Sequence, residues 1–408
     1  MKMLILLSFR NVLRNRRRTA LTVLLIGCGL ATLILYDGFV RGMREALVKE
    51  ATGTFLGEAQ VHRDGFRKER EIDLVVAGWP AVEKTLREDG TLAAYAPRVV
   101  AMGMISSPRN VSGVAIYGID PERESHVSKV RRALLHGRYL TGTSETEILI
   151  GSRLAALLEV EIGDRVVLTA AQARSGDLAQ ELFRVSGIVQ FNSRPMDQGM
   201  VFIPLAKAQR MLHLDGDVHE AALRFKKLED ADNRTLPLWK SVSAGGNEAL
   251  AWRELVPQVQ AILEMSSYGT LISGIILVAV ISLSVINSML MSIYERLFEF
   301  GVLKAIGTRP KEIALMILME AMALAIISSL VGVAAGWALS GWFAMRGIDF
   351  TGMEYAGTTL TDPIRTILAP EQFILFPIFV IILTVMAGIY PAIHAARLVP
   401  SQAMRKSL

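Results

Sequence analysis

Apolar residues gather in four long stretches of this chain, 19–40, 269–293, 312–343 and 372–393, and a far longer mixed region, 41–268, separates the first from the second. A hydrocarbon core about 30 Å thick is crossed by roughly 20 apolar residues in a helix. Each stretch reaches that length. The pattern therefore predicts an α-helical membrane protein with four transmembrane helices and a large α+β extracytoplasmic domain inserted between helices one and two. The last three helices form a compact membrane block.

Both edges of the inserted region keep a helical rhythm. Residues 36–50 place Phe39, Met43, Leu47 and Val48 near one face. Residues 248–265 do the same with Leu250, Leu255, Val259, Ile262 and Leu263, and Pro257 is expected to mark a kink. Two spans that continue past the bilayer as amphipathic helices would make a stalk. Between them, short β-like runs fall at 57–62, 94–105, 114–119, 147–150, 165–170, 182–191, 200–203 and 219–225. Helical pieces fall at 81–88, 152–158 and 205–212. Acidic–glycine turns at 63–65 and 161–164 punctuate them.

Charge sets the orientation. The first 18 residues carry Lys2, Arg10, Arg14, Arg16, Arg17 and Arg18 and no acid. The link 294–311 carries Arg296, Lys304, Arg309 and Lys311, and the tail 394–408 carries Arg397, Arg405 and Lys406. The positive-inside rule puts all three segments in the cytoplasm. The acidic loop 344–371 and the domain 41–268 then lie outside. A bacterial inner-membrane location with both termini cytoplasmic is the expected topology. The net charge of +5 is concentrated where that topology needs it, so it gives no reason to invoke nucleic acid.

Cys28 is the only cysteine, so the outer domain must be held by its own core and not by an intrachain disulfide. Leu25-Ile26-Gly27-Cys28 resembles a lipoprotein cleavage site, but the apolar run continues through Tyr36, which favours a retained helix. The chain contains no GxxxxGK[ST], HExxH, CxxC or GxSxG. The densest polar run, His213-Leu214-Asp215-Gly216-Asp217-Val218-His219-Glu220, reads as a turn between a helix and a strand, and no metal site is expected. Nor do the spans show chains of buried acids like those of ion-coupled transporters; Asp37 lies at the outer edge of the first. Gly332 and Gly336, one turn apart, would let the third span pack closely on a neighbour.

The link from Tyr294 to Lys311 is amphipathic. Leu297, Phe298, Val302, Leu303 and Ile306 are apolar, while Glu295, Arg296, Glu299 and Lys304 frame a short helix ended by Gly307 and Pro310. Such a helix could lie on membrane lipid or dock a cytoplasmic partner.

This segment resembles the signature of the FtsX-like permease superfamily, E-R-x-x-E-x-G-x-L-[KR]-A-[IL]-G. The matching positions here are Glu295, Arg296, Glu299, Gly301, Leu303, Lys304, Ala305 and Gly307. Phe300 stands where the family usually has isoleucine, and Phe298 where a charge is common. The ending 390–405 resembles the family's P-A-x-x-A-A-x-x-x-P-x-x-A-L-R, the start 8–15 its R-N-x-x-R-x-x-x-R, and 151–166 an element of its periplasmic core. The segment 37–62 is most similar to the lipoprotein-releasing branch.

The resemblance implies a permease without catalytic residues of its own. It would pair with a second copy or a paralogue and dock two cytoplasmic ATP-binding-cassette subunits through the helix at 294–307. ATP and Mg would sit on those subunits. Motion would pass through the stalks to the outer domain, with a lipoprotein or other lipidated cargo and a periplasmic carrier as candidate partners. In one permease of the lipoprotein-releasing branch a loop between two outer strands reaches for that carrier. The corresponding stretch here, 171–180, is short, polar and free of aromatic and proline residues. Two other tasks fit the same resemblance: efflux of small molecules or peptides from the periplasm, and control of a cell-wall hydrolase.

Overall fold

The computed structural model describes residues 16–142, 144–355, 358–359 and 362–397. They divide into an apolar helical unit within 1–45, 263–350 and 362–408, and an α+β unit within 46–262 and 351–361.

The helical unit contains α1 (Arg16–Ala51), α2 (Pro257–Glu295), α3 (Leu297–Ala305), α4 (Pro310–Arg346) and α5 (Gln372–Arg397). All but α3 are long and apolar enough to cross a membrane. At 1.5 Å per residue, α1 and α2 extend about 54 and 58 Å, well beyond the roughly 30 Å of a hydrocarbon core. Glycine lets α1 and α4 touch along their backbones. A Cβ on Gly332 would stand 2.8 Å from the carbonyl oxygen of Gly27, and one on Gly336 would stand 3.3 Å from the Cα of Ala31. At the other end of α1, the Gln372 amide donates to Asp37 Oδ2 at 2.6 Å, and Arg41 donates to the same oxygen at 2.8 Å.

Two sequence expectations change here. Residues 247–251 form a strand and not the start of a helix, because they supply the backbone partner that 59–63 lacks on one side. Pro257 does not kink a helix either. It opens α2, where its missing N–H leaves no hydrogen bond unmade.

The α+β unit is built on β1 (Ala59–Arg63), β2 (Leu92–Ser106), β3 (Val111–Ile119), β4 (Leu134–Gly137), β5 (Glu147–Gly151), β6 (Arg165–Ala171), β7 (Leu178–Val189), β8 (Met200–Pro204), β9 (Glu220–Phe225) and β10 (Asn247–Ala251). Pairing runs β10-β1-β9-β2-β3-β8-β5-β7-β4, and β6 joins β2 to β7. Six strands (β2, β3, β8, β5, β7, β6) therefore close a ring, while β9, β1 and β10 continue from β2 as a wing. Alternation decides what fills the ring. Ile105, Val114, Ile116, Ile148, Ile150, Val166, Leu168, Phe183, Val185, Val201 and Ile203 are buried in one cluster. The β6–β7 connection, 172–177, folds back on itself, with Gln172 N–H donating to Asp177 O at 2.8 Å.

The wing is pinned by an ion cluster whose members lie far apart in sequence. Arg98 on β2 is completely buried and sits directly across the ladder from Glu220 on β9. Its guanidinium donates to Glu220 Oε1 at 2.7 Å and, as a fork, to both oxygens of Glu124 at 2.9 and 2.7 Å. A fourth bond reaches Phe55 O. Glu124 lies on a short helix capped by Asp120. Burial pulls the Arg98 pKa down, but Glu124 and Glu220 outweigh it and hold the group above the ordinary arginine value.

Two buried histidines border the cluster, and Phe66 stacks against both rings. His219 Nδ1 accepts from Val100 N–H at 3.0 Å and its Nε2 faces Ile72 O at 2.8 Å, which fixes a neutral tautomer. The polar run 213–220 is thus a turn only as far as Asp217, and its last three residues are buried.

Burial drives the His62 pKa down to about 4, with Arg67, Arg70 and Arg98 acting in the same direction and Glu220 opposing them. The unfolded chain takes up this proton near pH 6.5 and the folded chain near 4. Stability from His62 is therefore complete above about 6.5 and is lost as pH falls from there towards 4. At pH 5 the loss is about 2 kcal/mol. We expect the unfolding temperature of the α+β unit to fall between pH 7 and 5, and the fall to shrink in His62→Gln. Equal slopes in both proteins would remove His62 from the account.

Candidate functional site

The turn between α2 and α4 draws one end of each of the four long helices together, and each contact traces to a particular residue. Arg296 leaves helical geometry at φ −110°, ψ 17°, which separates α2 from α3. Its side chain then ties both neighbours. Nε donates to Glu299 Oε2 on α3 at 3.0 Å and Nη1 to Glu320 Oε2 on α4 at 3.1 Å, and the guanidinium lies over the Phe300 ring at 5.3 Å. Arg296 and Glu320 are both buried. Glu320, the lone acid in the run Ile313–Phe343, is not among the residues the family signature marks. An isolated charge in such a run is itself a signal that a partner is waiting.

The other end of α3 is fastened separately. Lys304 Nζ donates to Ala396 O at 2.6 Å, placing a cation on the unpaired carbonyls that end α5. Gly307, at φ +99°, closes the helix, with Thr308 N–H reaching back to Leu303 O at 3.0 Å. Pro310 does not share in that ending. It is the first residue of α4, and Glu312 caps the new helix by accepting from Arg309 N–H at 3.0 Å. From α1, Arg18 donates to Glu295 Oε2 at 2.7 Å. Thr22 and Ser288 share a hydrogen bond at 2.7 Å. Phe300 is buried in the apolar core with Ile293, Ile313, Ala392 and Ala395. Gly301 is buried beside it and Leu303 packs against the same core.

The charges of α3 are thus tied to neighbouring elements, Glu299 to Arg296 and Lys304 to the end of α5, with the Glu299 side chain still 43% exposed. What the helix otherwise displays is apolar: Phe298, Val302 and Ile306, at i, i+4 and i+8, are 53%, 39% and 75% exposed, and Ala305 is exposed beside them. The helix is therefore apolar both towards the core, through Phe300 and Leu303, and on this exposed stripe. The sequence showed which residues are apolar but not which face each would take, because the inward pull comes from Glu320 and Ala396 O, distant in sequence. Among the described residues no group of three or more His, Cys, Asp or Glu side chains could hold a metal ion.

Residues 271–400 match the family described as FtsX-like permease C-terminal, and residues 19–233 the MacB-like periplasmic core domain. The lipoprotein-releasing system transmembrane protein LolC of Xylella fastidiosa strain 9a5c is 23% identical over 390 residues, 92% of this chain and 90% of that protein. The corresponding LolE of Haemophilus influenzae is 19% identical over 397 residues, covering 93% and 92%. The macrolide export ATP-binding/permease protein MacB of Chlorobium luteolum is 32% identical over 121 residues, 30% of this chain and 16% of that one.

Proposed function

Because this chain belongs to the FtsX-like permease family and carries a MacB-like periplasmic core domain, we propose that α3 is the handle by which a separate ATP-binding-cassette subunit moves it. The permease spans the membrane four times with both ends in the cytoplasm, and its α+β unit works on the far side. The observation that carries this reading is the construction of α3. A nine-residue helix is bolted to α2, α4 and α5 through Arg296, Glu320 and Lys304 while offering Phe298, Val302 and Ile306 outward. Force applied to such a helix reaches the others without loosening it. The length of α1 and α2 beyond the bilayer supplies the lever.

The cargo is a lipoprotein or similar lipidated molecule released from the outer leaflet, in keeping with the names of the two relatives aligned over most of the chain. The partner permease is a second copy or a paralogue.

Phe298→Asp and Val302→Asp each place a charge on the exposed stripe without touching the buried bolts. Either should lower recovery of the ATPase with the purified permease at least about tenfold, since a buried apolar anchor at an interface is worth 2 kcal/mol or more. Met104→Asp, in the α+β unit, should leave recovery unchanged. Undiminished recovery with both α3 variants would refute docking through this stripe.

A further inference from the structure

We propose that α2 pairs with α2 of a second copy of this chain, with the two Asn287 amides hydrogen-bonded to each other inside the membrane. The proposal rests on the reading of the chain as a membrane-spanning permease and specifies which partner meets this helix.

Asn287 lies on α2 about 12 Å before Glu295, at 1.5 Å per residue, which places it inside the span. Its side chain is exposed, and among the described residues, apart from Glu312 in the first turn of α4, it is the one exposed amide or charged group within the apolar stretches of the four long helices. A hydroxyl in this setting can turn back to a carbonyl of its own helix, as Thr270 does to Ser266 O at 3.0 Å. A carboxamide has two N–H donors and a carbonyl to satisfy, and hydrocarbon offers nothing to either. Neither bulk lipid nor an acyl chain is therefore a suitable neighbour. A second carboxamide is, because each can donate to the other's oxygen.

The surrounding sequence gives the helix a seam for that contact. Ile276, Val280, Leu283 and Asn287 recur at intervals of four, three and four, the alternation that keeps one face against a parallel partner helix. The first three are 57%, 52% and 70% exposed. In such a seam a single asparagine fixes register and partner number. A two-fold axis along the membrane normal brings like residues together, as an isologous interface requires. The helix has the free surface: α4 buries 56% of its most apolar stretch within the chain and α2 only 11%.

The test uses the full chain with Cys28→Ser, expressed in membranes free of related permeases. After oxidation, Asn287→Cys should yield a covalent dimer of twice the chain mass. Leu330→Cys, an exposed position on α4, should not. Without a cysteine at 287, self-association in mild detergent should survive Asn287→Gln and fall about 3- to 30-fold in Asn287→Ala. Cross-linking at 287 no stronger than at 330, or appearing only when a paralogous permease is supplied, would overturn the pairing. ATPase recovery is read from the same membranes. A chain that keeps its ATPase but does not cross-link loses this inference alone, and loss of ATPase recovery in every form bears on the docking reading instead.

Discussion

Arg98→Leu is expected to lower the unfolding temperature of the α+β unit by about 10 °C. Removing one partner of a buried ion pair costs about 3–5 kcal/mol, and a domain of this size loses about 2–4 °C per kcal/mol. The loss is severe because Arg98 serves two carboxylates at once. Without it, Glu124 and Glu220 are left buried and facing each other with no cation between them. Arg109→Leu is the matched control. Its partner Glu159 is 2.6 Å away, but both side chains are more than half exposed, and exposed pairs contribute about 0–1 kcal/mol. Calorimetry of the full chain in detergent should separate the two variants clearly. Equal, small shifts would show that the wing is held by packing alone.

Glu320→Ala should weaken the protein by a similar amount, about 3–5 kcal/mol, and should also disconnect the motor. Arg296 would lose its anchor on α4 while still bonded to Glu299, so α3 could shift without dragging α4. ATPase should then still be recovered with the permease, yet its hydrolysis should no longer respond to the permease. Replacing both partners, Arg296→Leu with Glu320→Leu, removes the uncompensated charge and should restore much of the stability but not the coupling. Recovery of both together would mean that the ion pair serves folding only.

How far the sequence disclosed this molecule depended on range. Residues 16–51 and 310–346 announce themselves by composition, and the alternation in 165–171 and 182–189 marks strands without help. The strand at 247–251 reads as a helix in sequence because Leu250 and Leu255 fit a helical stripe equally well. Only pairing with 59–63, almost two hundred residues earlier, decides it. The Arg98 cluster was out of reach for the same reason. Nothing near Arg98 in sequence distinguishes it from the many exposed arginines, and its partners come from a helix and a strand brought together by folding. At α3 the residues were identified but not their directions. Arg296, Glu299 and Lys304 read only as polar residues framing a short helix and serve as its fastenings, while Phe298, where a charge is common in the family, is on display.

The account stands on α3 and the α+β unit lying on opposite sides of the membrane. A membrane-impermeant maleimide, applied to intact cells carrying Cys28→Ser with either Met104→Cys or Ile306→Cys, tests this directly. Both positions are well exposed. The account predicts that Met104→Cys is labelled at once and Ile306→Cys only after the inner membrane is opened. Labelling of both from outside, or of neither until the membrane is opened, would contradict it.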